Sequence, residues 1–298
     1  MRSAETMYQL ILDCARKDPR VRLVLLSGSR ANPDAPRDDL QDFDVAWFVT
    51  NLDSFRGSEA WLESFGSRLM MQKPAEMGEN PPEKPDLVYL MLFEDGNRID
   101  LSLRPLESLE AYASGEGLWR VLLDKDQCAT GLPKPSAARF AIEPPSAKAF
   151  ADCCNEFWWV SPYVAKGLCR REQLYAVWHM EAVIREELVR MLGWLVGVRD
   201  GFPVCLGKHN KYLQARLEPS EWRLLMRTCR LSAPRSCWQA LFAAQKLFRR
   251  ASLEAVSYTH LRAHETVLDI VCRLLLEKKN QPILSRSYTL AHNTYQQH

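Results

Sequence analysis

The chain has 298 residues, of which 47% are hydrophobic and 26% charged, an ordinary balance with room for two globular domains. A formal net charge of +2 argues against a dedicated nucleic-acid binder, which carries a basic stripe. No apolar run approaches the roughly 20 residues of a bilayer span, and MRSAETMYQL lacks the layout of a secretory signal, so a cytoplasmic protein without membrane contact is expected. None of the nine cysteines forms a C-x-x-C, and the adjacent Cys153 and Cys154 would strain to bridge. They read as reduced thiols serving as small hydrophobes rather than as disulfides or a zinc site.

The first helix spans 3–17, with Tyr8, Ile11, Leu12 and Ala15 at helical spacing, Ser3 as N-cap and Glu5 in the first turn. After Asp18-Pro19 comes a strand, Val21–Ser27, that ends in Gly28-Ser29. Glycine and serine after a strand let backbone N–H groups and a hydroxyl approach phosphate closely. A polar loop leads to Asp42-Phe43-Asp44 and a second strand, 44–50. Carboxylates at i and i+2 on a strand face the same way, so Asp42 and Asp44 can grip one cation or a pair. Magnesium prefers such oxygens and keeps part of its shell for substrate phosphates.

The spacing of Trp61, Leu62, Phe65 and Leu69 predicts a helix over 58–71, followed by a loop carrying Pro74, Pro81, Pro82 and Pro85. A hairpin comes next, with arms 87–93 and 98–104 around Glu94-Asp95-Gly96-Asn97. Ile99, Leu101 and Leu103 share one face of the second arm, which puts Asp100 on the other. A carboxylate inside a β-rich run reads either as a solvated outer face or, if this arm neighbours the second strand, as a third ligand beside Asp42 and Asp44.

Residues 130–146 are proline-rich and read as a linker, which sets domains at 1–135 and 146–256. The second domain is helical. Ser146 caps a helix through Val160, a segment near Pro162 runs to Leu168, and a long helix spans 172–198 with a stripe from Leu174 to Leu195. A turn at 200–203 precedes Gly207-Lys208-His209-Asn210-Lys211-Tyr212-Leu213, and helices over 220–229 and 237–253 close the domain.

With these elements placed, the chain resembles the aminoglycoside 6-adenylyltransferase (streptomycin adenylyltransferase) family. The matching stretches are GSRAN at 28–32, QDFDVAWFV at 41–49, LFEDGNRIDLSL at 92–103, VLLDKD at 121–126, DCCNEFWWVSPYVAKGL at 152–168 and GKHNKYL at 207–213. The resemblance implies an α+β protein: an N-terminal nucleotidyltransferase-type mixed sheet with helices, then an α-helical C-terminal domain. It implies transfer of AMP from Mg-ATP to a streptidine hydroxyl of streptomycin, with release of pyrophosphate; a monomer is expected. Asp42 and Asp44 would hold one or two Mg²⁺, and Asp100 would complete the metal site or take the hydroxyl proton. Gly28 and Ser29 would cradle phosphate, with Arg30 as an added charge.

In the helical domain Lys208 and Lys211 are candidates for the β,γ-phosphates and Tyr212 for stacking on adenine, against the plain reading of a solvated basic turn. Lys166 is a phosphate contact or a helix-dipole partner. Glu156 and Glu181 are candidates for the guanidinium groups of streptomycin, provided their carboxylates are uncommitted. Trp158 and Trp159 read as core rather than sugar platform, and His179 as structural rather than a base. Rival readings keep the fold but change the acceptor to another aminoglycoside, a protein or RNA, or keep nucleotide binding without turnover. The segment 257–279 departs from the family and reads as a foreign, vector-derived tail, with 280–298 polar and without a core.

Overall fold

Ser3 caps the first helix, α1 (Ala4–Lys17), accepting from the Thr6 N–H at 3.2 Å, and Met7, Ile11 and Ala15 form its buried stripe. In this computed structural model the described residues are 1–260 without 34, 80, 81, 83–85, 116 and 137–140, with side chains described to 256. The chain divides into two units, Met1–Arg139 and Phe140–His298.

Among the described residues the first unit has a six-stranded sheet: β1 (Val21–Leu26), β2 (Phe43–Val49), β3 (Arg68–Gln72), β4 (Leu87–Phe93), β5 (Arg98–Pro105) and β6 (Arg120–Asp124). Their order is β3-β4-β5-β2-β1-β6, with β2 and β5 parallel and the other neighbours antiparallel. The central β1 and β2 are apolar on both faces because both faces are covered. Val24, Leu26, Val45 and Trp47 pack with α1. Leu23, Leu25, Ala46 and Phe48 pack with Leu109 at the start of a short helix (Leu109–Gly115).

The hairpin forms as its Asp-Gly turn predicts. The Gly96 N–H donates to Phe93 O and the Phe93 N–H to Asn97 O, both at 2.9 Å, and Gly96 takes a positive φ of 84°. The helix expected over 58–71 does not form. Ala60–Phe65 is a 3₁₀ segment that buries Leu62 and Phe65, Gly66 then turns the chain at φ 97°, and Arg68–Gln72 is an edge strand with Leu69 69% exposed.

In the second unit, a helix (Ala147–Cys169) runs unbroken through Pro162, where a helix and a separate segment were expected. Proline removes one helix donor, and the Ser161 hydroxyl bonds to Phe157 O at 2.8 Å on the turn before it. The expected long helix is Gln173–His179 and Arg185–Asp200 joined by a π turn, Met180–Ile184. Helices Pro219–Thr228 and Pro234–His260 and a two-stranded ladder, Ala141–Ile142 with Val204–Cys205, complete the unit. The stacked rings of Phe157 and Phe248, 3.8 Å apart, lie in its core. Cys153, Cys154 and Cys237 are buried, but Cys169 and Cys229 are exposed, so not every thiol serves as a core hydrophobe. The tail reading falls almost wholly on 261–298, outside the described residues. Among the described residues no helix is long and apolar enough to cross a membrane.

Candidate active site

Asp44 on β2 and Asp100 on β5 are register partners in the parallel pair. Side chains alternate along both strands, with Phe43 and Val45 and then Ile99 and Leu101 buried, so the two aspartates emerge on the face opposite those residues. Asp42 lies one residue before β2. Arg98, two residues before Asp100, connects it to the group. Its Nε donates to Asp100 Oδ1 at 2.7 Å, its Nη2 donates to Asp100 Oδ2 at 2.8 Å, and Nε lies 3.8 Å from Asp42 Oδ2. Burial pushes the Asp42 carboxyl up from its ordinary value, with Asp100 adding to the rise while Arg98 and Arg30 oppose it.

The turn after β1 is fitted to these acids. Gly28 has φ +67°, and a Cβ there would lie 1.9 Å from Asp44 Oδ2. The Ser27 N–H donates to Asp44 O at 2.8 Å, tying the end of β1 to β2. Gly28 and the half-buried Ser29 open a single helical turn, Gly28–Ala31. Arg30 is placed differently from the expected phosphate contact. It is 7% exposed, and its guanidinium donates to Gln41 O at 2.7 Å and Asp42 O at 3.1 Å and lies 3.9 Å from the Phe43 ring centroid. Arg30 braces the loop that carries Asp42, with Nε and Nη2 bonded to backbone carbonyls.

Arg98 is the residue that reading the chain missed. The signal was present, because an arginine two positions from Asp100 on a strand shares its face.

In the second unit, Lys166 is exposed, with its amine 5.5 Å from the Tyr163 ring centroid. Lys208 and Lys211 are exposed on the turn that begins at Gly207, whose φ is 69°. The Tyr212 ring packs on Gly207, where a Cβ would come within 2.8 Å of it. Glu156 is exposed. Glu181 is not an uncommitted carboxylate: Arg185 Nη2 donates to it at 2.8 Å while also bonding Thr228 O. Trp158 packs against Phe157 and Phe248, as a core residue does. Trp159, expected to join it, is 63% exposed and donates to the Tyr163 hydroxyl at 3.0 Å. His179 Nδ1 lies 2.8 Å from Tyr175 O.

Among the described residues no group of three or more His, Cys, Asp or Glu side chains is set to hold a metal ion. The donor chemistry nevertheless suits magnesium: hard carboxylate oxygens on adjacent strands, beside a glycine turn with no room for a Cβ. A mixed sheet with aspartates paired across two parallel strands, next to such a turn, is the frame of a nucleotidyl-transferring enzyme.

Comparisons with known proteins give the family. A family model described as streptomycin adenylyltransferase matches residues 1–272, past Ser257, where the resemblance read from the sequence stops. The aminoglycoside 6-adenylyltransferase of Bacillus subtilis (strain 168) is 44% identical over 259 residues, covering 86% of this chain and 91% of the relative. That of Campylobacter jejuni is 42% identical over 254 residues, covering 85% and 88%. A crystal structure of an aminoglycoside 6-adenyltransferase from Bacillus subtilis aligns over 94% of this chain and 98% of that one at 37% identity, with a TM-score of 0.43. The chain belongs to the streptomycin adenylyltransferase family.

Proposed function

We propose that the protein transfers AMP from ATP to a hydroxyl of an aminoglycoside, with streptomycin the expected acceptor, and so confers resistance to it. The observation that carries this reading is the in-register pair Asp44–Asp100 with Asp42 beside it, together with membership of an adenylyltransferase family.

Asp42 and Asp44 would hold Mg²⁺, which when bound neutralises charge on the triphosphate. The Gly28-Ser29 turn lets phosphate approach the backbone without a Cβ in the way. In the transfer, the acceptor oxygen bonds to the α-phosphorus as the bond to the β-phosphate oxygen breaks. Pyrophosphate leaves with the electron pair, and the hydroxyl proton passes to Asp100. Arg30 holds the loop before β2, so that Asp42 keeps its place. The exposed amines of Lys166, Lys208 and Lys211 and the ring of Tyr212 are proposed nucleotide contacts, and Glu156 a contact for a cationic acceptor.

The test is pyrophosphate release from Mg-ATP with a panel of aminoglycosides. Release with streptomycin is expected. Release only with another aminoglycoside would move the acceptor, and no release with any, from folded protein, would leave a nucleotide-binding protein without turnover.

A further inference from the structure

Arg98 and Arg30 are both arginines beside Asp42, yet they are held in opposite ways. Arg30 is buried and bonded to backbone carbonyls that do not change charge. Arg98 has 41% of its side chain exposed, and it donates to Asp100 at 2.7 and 2.8 Å. A half-exposed guanidinium on a long stem can swing into water while its apolar stem stays in place. The aspartates have less freedom: Asp100 is on a central strand, and the Asp42 carbonyl is gripped by Arg30.

Asp42 and Asp100 repel one another, and the guanidinium of Arg98, beside both, offsets part of that charge. A divalent cation held by Asp42 would offset more, and it would repel the guanidinium whose Nε lies 3.8 Å from that carboxylate. Resting on the proposed transfer reaction, we infer that Arg98 is the resident counter-cation of the Asp42–Asp44–Asp100 cluster, displaced from Asp100 when a divalent cation enters. Arg98 is then a positioning residue. It holds the third carboxylate in the metal-free protein and releases it for the acceptor proton only after the metal has arrived. Its fork takes up both oxygens of Asp100, so the proton-accepting group is masked until that moment.

The experiment titrates Mn²⁺ alone, without nucleotide, into the full chain and reads free Mn²⁺ by electron paramagnetic resonance. Wild type, Arg98→Met, Arg98→Lys and Asp44→Asn are compared, each also by thermal melt with and without Mn²⁺. Removing a competing cation should tighten Mn²⁺ binding in Arg98→Met roughly tenfold, or about 1.4 kcal/mol. Arg98→Lys, which keeps the charge but loses the two-pronged grip, should fall between Arg98→Met and wild type. The metal-free melting temperature of Arg98→Met should drop below wild type, and saturating Mn²⁺ should narrow the gap. If Arg98 merely braces Asp100 for the metal, Arg98→Met binds Mn²⁺ more weakly; weaker or unchanged binding overturns the inference. If Arg98→Met does not fold, the lysine variant decides by the same sign. Failure of the metal reading itself looks different, since wild type and Asp44→Asn would then bind Mn²⁺ equally poorly.

Discussion

Asp44 and Asp100 come from positions far apart in the chain and sit side by side, Cα partners across the parallel β2–β5 ladder. Neighbouring strands run about 4.8 Å apart, so side chains on one face of such a pair share one patch of solvent. The apolar residues flanking both aspartates are buried, which pins the register: a slip of β2 by one residue would turn Phe43 and Val45 outward and Asp44 into the core. The Asp44–Asp100 pairing is thus fixed by the hydrophobic pattern of two strands.

Gly28 tests how closely the turn after β1 is fitted to the acids. Alanine there must adopt a positive φ and place its Cβ 1.9 Å from Asp44 Oδ2. Gly28→Ala is expected to lose about 1–3 kcal/mol of stability through strain. It should also lose turnover by ~10²-fold, as displacement of a positioned group does. Chemical denaturation and pyrophosphate release measure the two effects. A variant with wild-type turnover would show that the turn can move without consequence.

The N-terminus is tied to the hairpin by charge. Arg2 Nε donates to Asp95 Oδ2 at 2.7 Å, and Asn97 Nδ2 donates to the same oxygen at 2.9 Å. The Arg2 bond, with help from the Arg2 and Asn97 backbone N–H groups and the Asn97 amide, holds the Asp95 carboxyl well below the usual carboxylate range. A depressed carboxylate stabilises the fold at pH values above its unfolded value near 4, and that contribution fades as pH falls toward the folded value. The stability gap between wild type and Asp95→Asn should therefore be full at pH 6 and smaller at pH 3. Urea unfolding at both pH values checks it, and a gap that widens on acidification would reverse the sign of the argument.

Much of this was legible. The Asp-Gly turn between alternating arms marked the hairpin, and the carboxylate interrupting Ile99, Leu101 and Leu103 marked Asp100 as the odd residue of its strand. The segment 58–71 was not legible as it folds, because Trp61, Leu62 and Phe65 have the spacing of either an α-helix or a 3₁₀ turn, and Gly66 decides between them by taking φ 97°. The edge strand after it exposes Leu69 and Met70 and so shows no alternation. The burial of Arg30 and the commitment of Glu181 to Arg185 depend on partners brought in by folding. A one-dimensional reading gives a charged side chain no such partner. Arg98 could have been found from its two-residue offset to Asp100.

An ion-pair network around the buried Glu221 links helices of the second unit. Arg199 donates from Nη1 and Nη2 to Glu221 and from Nε and Nη2 to Glu254, at 2.7–2.9 Å, and Glu221 is fully buried. Arg199→Met strands a buried carboxylate, with Arg250 at 3.5 Å as its remaining ion partner. Breaking such a pair costs about 3–5 kcal/mol. Guanidinium unfolding should register that loss, and a cost under about 1 kcal/mol would mean that Arg250 takes over.

The most direct measurement is the rate of pyrophosphate release with Mg-ATP and streptomycin in wild type and Asp44→Asn. Asparagine keeps the size and removes the charge, so the melting temperature should stay near that of wild type. Losing a metal carboxylate removes several kcal/mol of transition-state stabilisation, at about 1.4 kcal/mol per tenfold, so turnover should fall by roughly 10³ or more. A folded Asp44→Asn enzyme that keeps more than about a tenth of the wild-type rate would contradict the role given to the β2–β5 aspartates.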